Sequence, residues 1–280
     1  MAWPFTQGSG LGGLAQGYFQ AAPPRLWKGE PAARADSRQR FCFGVVSSLH
    51  LGGFLAGGCG SALALAFIQT FSMNRKTVGI LVFDEVEVLD FCGPFEVFSV
   101  TRINEERRRE EASPFEVLLI AESNQSVKTA GAMKVIPDVA FERCPRLDIL
   151  VVPGGWGTRR EMNNEAMLSF IRSRALEVDT LASVCTGALI LGKAGLLDGL
   201  CATTHWRSLQ TMQELFPKVR VDSKSHVVKA GKVITSAGIS AGIDMALLVV
   251  AQYYGEDIAR ATARHMEYPF PETNERRINL

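Results

Sequence analysis

Cys185 is the residue whose setting in the sequence most clearly points to chemistry. It follows the apolar run Thr180–Val184 and precedes Thr186 and Gly187. A strand that runs into a nucleophile and then into a helix is typical of a nucleophile elbow, a strained turn that lifts one side chain above a sheet edge. The N-terminus of such a helix lowers the pKa of a thiol placed against it. The pattern therefore predicts a reactive cysteine, the alternative being an ordinary buried core cysteine.

Asp90 is the candidate proton donor or acceptor. It lies after the first predicted strand and before Gly93-Pro94, which predicts the start of a helix with Pro in its first turn. A carboxylate on this loop would meet the Cys185 sulfur and exchange a proton there. Asp is also a favoured helix N-cap. Spacing alone leaves both interpretations open.

Pro153-Gly154-Gly155 ends another predicted strand. Glycine lets backbone N–H groups approach a ligand closely. Together with the N–H of Thr186, this loop is expected to form an oxyanion hole, with Gly154 and Gly155 as substrate-binding residues. A plain turn is the other interpretation.

His205, in the run Thr203-Thr204-His205-Trp206, is a further candidate substrate-binding residue. It either pairs with the thiol or a neighbouring carboxylate, or serves as a buried, hydrogen-bonded structural histidine. Phe91, Trp156 and Trp206 either line an apolar pocket or fill the core. Of the other cysteines, Cys92 is expected near Asp90, whereas Cys144 and Cys201 are expected to be packing residues.

Buried strands alternating with helices must position these residues. Short apolar runs are typical of parallel strands that are buried on both faces. The alternation predicts an α/β domain with a mostly parallel sheet and helices on both faces. The strands are predicted at 78–83, 115–121, 147–152 and 180–184, and the main helices at 164–176, 186–193, 239–253 and 256–266.

Composition excludes several classes of protein. The 280 residues carry a formal net charge of +1, with 47% hydrophobic and 21% charged residues. This profile excludes an intrinsically disordered chain, and without an excess of Lys and Arg no nucleic-acid partner is expected. The six cysteines are too sparse for a disulfide scaffold, and no pair is spaced C-x-x-C as in zinc sites. No metal site is therefore expected.

The first 72 residues differ from the rest of the chain. They hold five basic and two acidic residues, and the stretch from Phe41 to Met73 has no charged residue. This stretch is long enough to span a bilayer, but it contains many glycines and several polar residues. We expect residues 1–72 to be a disordered or spurious extension, with a membrane segment at 41–72 as the alternative. Residues 73–280 are expected to form one domain.

Four motifs together resemble the ThiJ/PfpI superfamily, a branch of the class I glutamine amidotransferase-like fold. The resemblance covers residues 76–268 and implies a flavodoxin-like three-layer sandwich. Within the superfamily the sequence is most similar to the isonitrile hydratases. The motifs are Leu89-Asp90-Phe-Cys-Gly93-Pro94-Phe-Glu-Val-Phe98, Val152-Pro153-Gly154-Gly155, Ser183-Val-Cys185-Thr186-Gly187-Ala188 and Ala202-Thr203-Thr204-His205-Trp206.

The resemblance implies a lyase that hydrates an isonitrile to an N-substituted formamide without a cofactor. Cys185 would be the nucleophile, Asp90 the acid and base, and Thr186 a hydrogen-bonding partner. Protease-like members carry His after the Cys, so Thr186 argues against peptidase activity. Glyoxalase-type members commonly have Glu where Asp90 stands, which makes glyoxalase-like repair a weaker alternative. A homodimer in the cytoplasm, acting on a small molecule, is also implied.

The rival hypothesis is a non-catalytic domain that binds a ligand or senses oxidants through Cys185. The same fold and Thr-His-Trp motif occur in sensor domains of AraC-type transcription regulators. Because the sequence shows no basic recognition helix, we do not expect it to bind DNA.

Overall fold

Strands and helices alternate along residues 75–278, the part of the chain that the computed structural model describes. The strands are β1 (Lys76–Leu81), β2 (Phe115–Ala121), β3 (Val127–Lys128), β4 (Lys134–Val135), β5 (Val139–Ala140), β6 (Ile149–Val152), β7 (Thr180–Val184), β8 (Cys201–Ala202), β9 (Arg220–Val221), β10 (Val227–Ala230) and β11 (Val233–Ser236). The α-helices are α1 (Val88–Val100), α2 (Thr158–Glu161), α3 (Glu165–Glu177), α4 (Gly187–Lys193), α5 (Leu209–Leu215), α6 (Ala241–Tyr254) and α7 (Glu256–His265).

The central sheet has seven strands in the order β10-β11-β7-β6-β1-β2-β5. Neighbouring strands are parallel except β10 and β11, which form an antiparallel hairpin at one edge. Strand β1 pairs with β2 on one side and with β6 on the other, so the chain reverses its direction of winding there. Ligands of open α/β sheets bind outside the carboxyl ends of strands at such a point. The predicted mostly parallel α/β fold is confirmed.

Burial explains why the central strands form. All four residues of β6 are fully buried, and every residue of β7 is buried. Continuous apolar runs of this kind fit strands that are covered on both faces. The helices pack as two groups, one of α1, α6 and α7 and the other of α2, α3 and α4. The predicted three-layer sandwich is therefore confirmed.

Helix α1 corrects the predicted helix start. It begins at Val88, with Glu87 as its N-cap, so Pro94 lies inside the helix and not in its first turn. Proline lacks the N–H that would bond to the carbonyl of Asp90 four residues earlier. Asp90 itself lies in the first turn and is not the N-cap. The interpretation of Asp90 as a capping residue is therefore wrong.

The predictions for residues 1–72, including the alternative of a membrane segment at 41–72, lie outside the described residues. Within residues 75–278, no helix combines the length and the apolar character needed to cross a membrane.

Candidate active site

Cys185 lies at the junction of β7 and α4, with the strained backbone of a nucleophile elbow. Its φ is 56°, in the left-handed region that side chains other than Gly rarely adopt. Its backbone N–H donates to the carbonyl of Ala237 at 3.0 Å, and its carbonyl accepts from Oγ1 of Thr204 at 2.7 Å. Both backbone groups are thus held by neighbouring loops, which maintains a conformation that costs of order 1–3 kcal/mol.

The small residue after the elbow is a steric requirement. A Cβ on Gly187 would overlap the carbonyl oxygens of Val152 and Pro153, at the end of β6. The elbow can therefore pack against β6 only with glycine at this position. This is the crowding that the sequence pattern predicts.

Asp90 places a fully buried carboxyl group next to the elbow. Its Oδ2 accepts a hydrogen bond from the N–H of Gly154 at 2.9 Å, while Oδ1 has no hydrogen-bond partner among the described residues. Burial raises the pKa of Asp90 to about 8; the Gly154 N–H opposes this rise and the charge of Glu87 adds to it. At neutral pH the carboxyl group therefore carries a proton.

The Cys185 thiol is also buried, with 6% of the residue exposed. Burial raises its pKa, and the Asp90 carboxylate adds to this, whereas the N–H groups of Thr186 and Ile239 at the sulfur oppose it. The N–H of Thr186, at the start of α4, lowers the thiol pKa as predicted, but burial and the Asp90 carboxylate outweigh it, so the net shift of the thiol pKa is upward. When Asp90 takes up a proton its charge disappears, and thiolate formation becomes easier.

Thr186 connects three parts of the site through one hydroxyl group. Its Oγ1 accepts a hydrogen bond from the N–H of Gly155 at 3.0 Å and lies 2.9 Å from Oγ1 of Thr158 in α2. Gly155 has a φ of 131°, and a Cβ there would overlap the backbone of Glu85 and Glu87. Thr186 therefore fixes the turn after β6 to the start of α4.

The predicted oxyanion role of Gly154 and Gly155 requires correction. The N–H of Gly154 is engaged by Asp90 and that of Gly155 by Thr186, so both glycines hold the site together. The backbone donors that face the sulfur are those of Thr186 and Ile239. The N–H groups of Thr186 and Ile239, and not those of Gly154 and Gly155, are therefore the backbone donors positioned to stabilise negative charge on the sulfur.

His205 makes its contacts with Arg207 and Gly238. Its Nδ1 accepts from the N–H of Arg207 at 3.3 Å, and its ring packs against Gly238. Burial, followed by the charges of Arg207 and Arg276, lowers the pKa of His205, which keeps the ring neutral. Within residues 75–278, no hydrogen bond joins His205 to Cys185 or Asp90, so the predicted pairing is not formed.

Sequence reasoning missed Ile239 and Thr158. Ile239 lies in the loop after β11 with a φ of 52°, and its N–H faces the Cys185 sulfur. The trace of this loop in the sequence is the run Ser236-Ala-Gly-Ile-Ser240, in which Ile239 is flanked by small residues. Of the other cysteines in the described part, Cys144 is buried in the core as predicted, and Cys92 and Cys201 are half-buried.

Apolar side chains are exposed beside several of the site residues. Leu89 precedes Asp90, Trp156 follows Gly155, and Trp206 follows His205 along the chain. Leu89 is 37% exposed, Trp156 65% and Ile239 38%, whereas Phe91 is buried in the core. Of the two roles predicted for these aromatic residues, lining a pocket or filling the core, Phe91 has the second. Trp156 and Trp206 are on the surface and do not fill the core.

The fold and the elbow define a class of α/β proteins with a cysteine at the carboxyl end of a central parallel strand. The model of the DJ-1/PfpI family matches residues 76–252, and the chain belongs to this family. An isonitrile hydratase from Pseudomonas putida is 36% identical over 192 residues, which cover 68% of this chain and 78% of that protein. The HTH-type transcriptional regulator GbdR of Pseudomonas aeruginosa is 27% identical over 70% of this chain, but only 51% of the regulator.

Solved structures agree with this assignment. A ThiJ/PfpI family protein from Pseudomonas syringae aligns with a TM-score of 0.62 and 28% identity, covering 79% of this chain and 85% of that one. Drosophila melanogaster DJ-1beta aligns with a TM-score of 0.59 and 19% identity over 70% of this chain and all of its own, a likeness of fold alone. Since the relatives include both an enzyme and a regulator, family membership does not decide the activity.

Proposed function

We propose that this protein hydrates a small isonitrile to an N-substituted formamide, with Cys185 as nucleophile and Asp90 as acid and base. The observation that carries the proposal is the fully buried Asp90 carboxyl group beside the Cys185 thiol, with Oδ1 unpartnered among the described residues. Burial raises the pKa of this group to about 8, which favours its protonated form at neutral pH. The similarity to an isonitrile hydratase supports the same reaction.

Protonated Asp90 suits the first step because the terminal carbon of an isonitrile is itself a nucleophile. It must gain a proton before a second nucleophile can attack it. Oδ1 of Asp90 gives its proton to this carbon, and sulfur then forms a bond to it. The thiol proton passes to the carboxylate just formed. The product is a thioimidate, R–N=CH–S–Cys185, and Asp90 is protonated again.

Water completes the reaction. It adds to the thioimidate carbon while Asp90 moves protons between the water, the nitrogen and the departing sulfur. The carbon–sulfur bond breaks, the formamide R–NH–CHO leaves, and Cys185 regains its proton. The N–H groups of Thr186 and Ile239 face the sulfur and stabilise the negative charge that it carries during attack and departure.

The surface beside the site supports an apolar substituent on the substrate. Three exposed hydrophobic side chains belong to this surface. Leu89 and Trp156 are adjacent in sequence to Asp90 and Gly155, and Ile239 is itself a residue of the site. Burial of their apolar surface by the substrate would contribute about 25 cal/mol per Å². The homodimer and the cytoplasmic location implied by the resemblance belong to the same proposal, and light scattering of the purified chain tests the dimer.

The test is turnover of a simple alkyl isocyanide by the full chain, with the N-alkylformamide followed by mass spectrometry. We expect many turnovers in the natural chain and none in Cys185→Ala. Asp90→Asn, which keeps the shape of the side chain but removes the acid, should lower the rate about 10²–10⁴-fold. Cys201→Ala, at a half-buried thiol outside the site, is the matched control and should retain the activity.

The proposal fails if the folded chain has a Cys185 that alkylates but gives no formamide beyond one equivalent. A mass increase on Cys185 with peroxide, without turnover, would then favour the sensing hypothesis. Consumption of methylglyoxal would favour glyoxalase-like repair.

A further inference from the structure

The segment that follows α7 returns to the neighbourhood of the candidate site, and Arg276 is its point of contact. Nη2 of Arg276 donates to Oγ1 of Thr203 at 2.7 Å and to the carbonyl of Thr204 at 3.1 Å. Its Nε donates to the carbonyl of Ser223 at 3.0 Å. One guanidinium group therefore holds two segments that are distant in sequence from it and from each other.

The backbone around Arg276 is itself fixed. Its N–H donates to the carbonyl of Lys224 at 2.8 Å. Two residues earlier, Asn274 pairs with Val227 at the start of β10 through both atoms of its side-chain amide, at 2.9 and 2.7 Å. The N–H of His226 also donates to the Asn274 carbonyl at 2.8 Å. Arg276 thus projects from an anchored stretch of chain.

Thr204 transmits this contact to the nucleophile. It is fully buried, and its Oγ1 donates to the carbonyl of Cys185 at 2.7 Å. The N–H of Thr203 is held by Oγ1 of Thr235 in β11 at 2.8 Å. Arg276 therefore holds Thr204 in place, and Thr204 in turn holds the carbonyl of Cys185 in the strained elbow.

The same segment also holds the helix that follows the loop of Ile239. Nη2 of Arg277 lies 2.6 Å from Oδ2 of Asp244, and the hydroxyl of Tyr268 donates to Oδ1 of Asp244 at 2.9 Å. Asp244 is buried in the first turn of α6. The loop of Thr204 and the helix that follows Ile239 are thus both bonded to residues 268–277.

We propose that Arg276 is a positioning residue of the active site, which holds Thr204 against the Cys185 carbonyl and so maintains the elbow in its reactive conformation. Arg276 lies outside the residues that the family model matches, 76–252, so the family motifs do not contain this contact. The kinetic part of the inference rests on the proposed function, whereas its effect on the reactivity of Cys185 does not.

Arg276→Ala in the full chain is the test, with Arg260→Ala as a matched control. Arg260 also holds the segment after α7, through Glu272 at 2.8 and 2.9 Å, but within residues 75–278 it forms no hydrogen bond with Thr203 or Thr204. The first measurement is the rate of Cys185 alkylation by iodoacetamide against pH, followed on the peptide that contains Cys185. The second is kcat and KM for the alkyl isocyanide.

We expect Arg276→Ala to move the alkylation profile of Cys185 to higher pH, because a relaxed elbow withdraws the sulfur from the N–H groups of Thr186 and Ile239. We also expect kcat to fall about tenfold to a hundredfold with little change in KM, as for a small misplacement of a reacting group. Arg276→Lys should recover part of both effects, since it keeps one charged donor. Arg260→Ala should behave as the natural chain.

An unchanged alkylation profile in Arg276→Ala, or an equal change in Arg260→Ala, would overturn the inference. If Arg276→Ala does not fold, as judged by a missing cooperative thermal transition, the profile of Arg276→Lys decides by the same criterion. If the natural chain has no hydratase activity, the alkylation profiles of Cys185 still test whether Arg276 positions the elbow. The two proposals can therefore fail separately.

Discussion

Gly154 and Asp90 hold each other across the point where the sheet reverses its winding. The N–H of Gly154 donates to Oδ2 of Asp90 at 2.9 Å, and the carbonyl of Gly154 accepts from the N–H of Glu87 at 2.9 Å. The first turn of α1 is thereby fixed to the end of β6. Since Oδ2 accepts this hydrogen bond, Oδ1 is the oxygen left to carry the acid proton in the proposed reaction.

The hydration rate should depend on the protonation of Asp90. Because the pKa of Asp90 is about 8, kcat/KM is expected to fall as the pH rises through that value. Asp90→Asn should lower the rate and at the same time make Cys185 alkylate at lower pH, since the carboxylate that raises the thiol pKa is gone. Rates of formamide formation and of Cys185 alkylation between pH 6 and pH 10 check both. A thiol that becomes less reactive in Asp90→Asn would contradict this account.

The same carboxyl group makes stability depend on pH. Its pKa in the folded state is raised above the unfolded value, so the folded protein binds the extra proton between about pH 4 and pH 8. The contribution of Asp90 to stability is therefore complete below this window and is lost as the pH rises to about 8. Asp90→Asn should become more stable relative to the natural chain across this window, and the difference should level off above it. Urea unfolding at several pH values measures this, and a constant difference would argue against a buried acid.

Much of the fold follows from the apolar strands. β7 occurs at the predicted bounds because it is a continuous buried run, and β2 does so because its residues are apolar except for the exposed Glu116. The start of α1 was misplaced because Gly93-Pro94 resembles a helix opening, whereas tertiary packing tolerates Pro94 inside the helix. The short helix α2 was not predicted, since four residues carry too little periodicity.

The central side chains of the site could be predicted from the sequence, whereas Thr158 could not. Cys185 and Thr186, which are consecutive, come together with Asp90 as the motifs predict, because β7 and α1 meet at one sheet edge. The roles of Gly154, Gly155 and Ile239 could not be predicted, since they depend on where backbone N–H groups point. The φ and ψ angles of the loops set those directions. The type of a residue indicates its φ only where a positive value favours glycine.

Residues 73–280 should fold without the preceding segment. The described part has its own continuous core, which includes Val78, Leu150 and Val249. We expect this fragment to unfold cooperatively and to retain the alkylation profile of Cys185 in the full chain. Circular dichroism on heating and the alkylation assay check this, and a fragment without a cooperative transition would show that the core needs residues before 73.

The hydroxyl of Thr186 should contribute to the stability of the fold. Thr186→Val keeps the shape but leaves the N–H of Gly155 and the hydroxyl of Thr158 without their partner. An unpartnered buried polar group costs about 1–3 kcal/mol, so the free energy of unfolding should fall by that order. Thr186→Ser retains the hydroxyl and is the control. Chemical denaturation of both variants decides, and equal stabilities would mean that the hydroxyl bridge contributes little.

Gly154 should tolerate no side chain, because the site is packed around it. A Cβ there would lie 2.5 Å from both the N and Oγ1 of Thr186 and 3.0 Å from Oδ2 of Asp90. Gly154→Ala is therefore expected to separate Asp90 from the elbow and to lower the hydration rate on the order of a hundredfold. At Gly131, in the turn between β3 and β4, the nearest side-chain atom to a Cβ is 3.9 Å away, on Val88. Gly131→Ala should keep its rate, and similar rates in the two variants would refute a tight packing of Asp90 against Thr186.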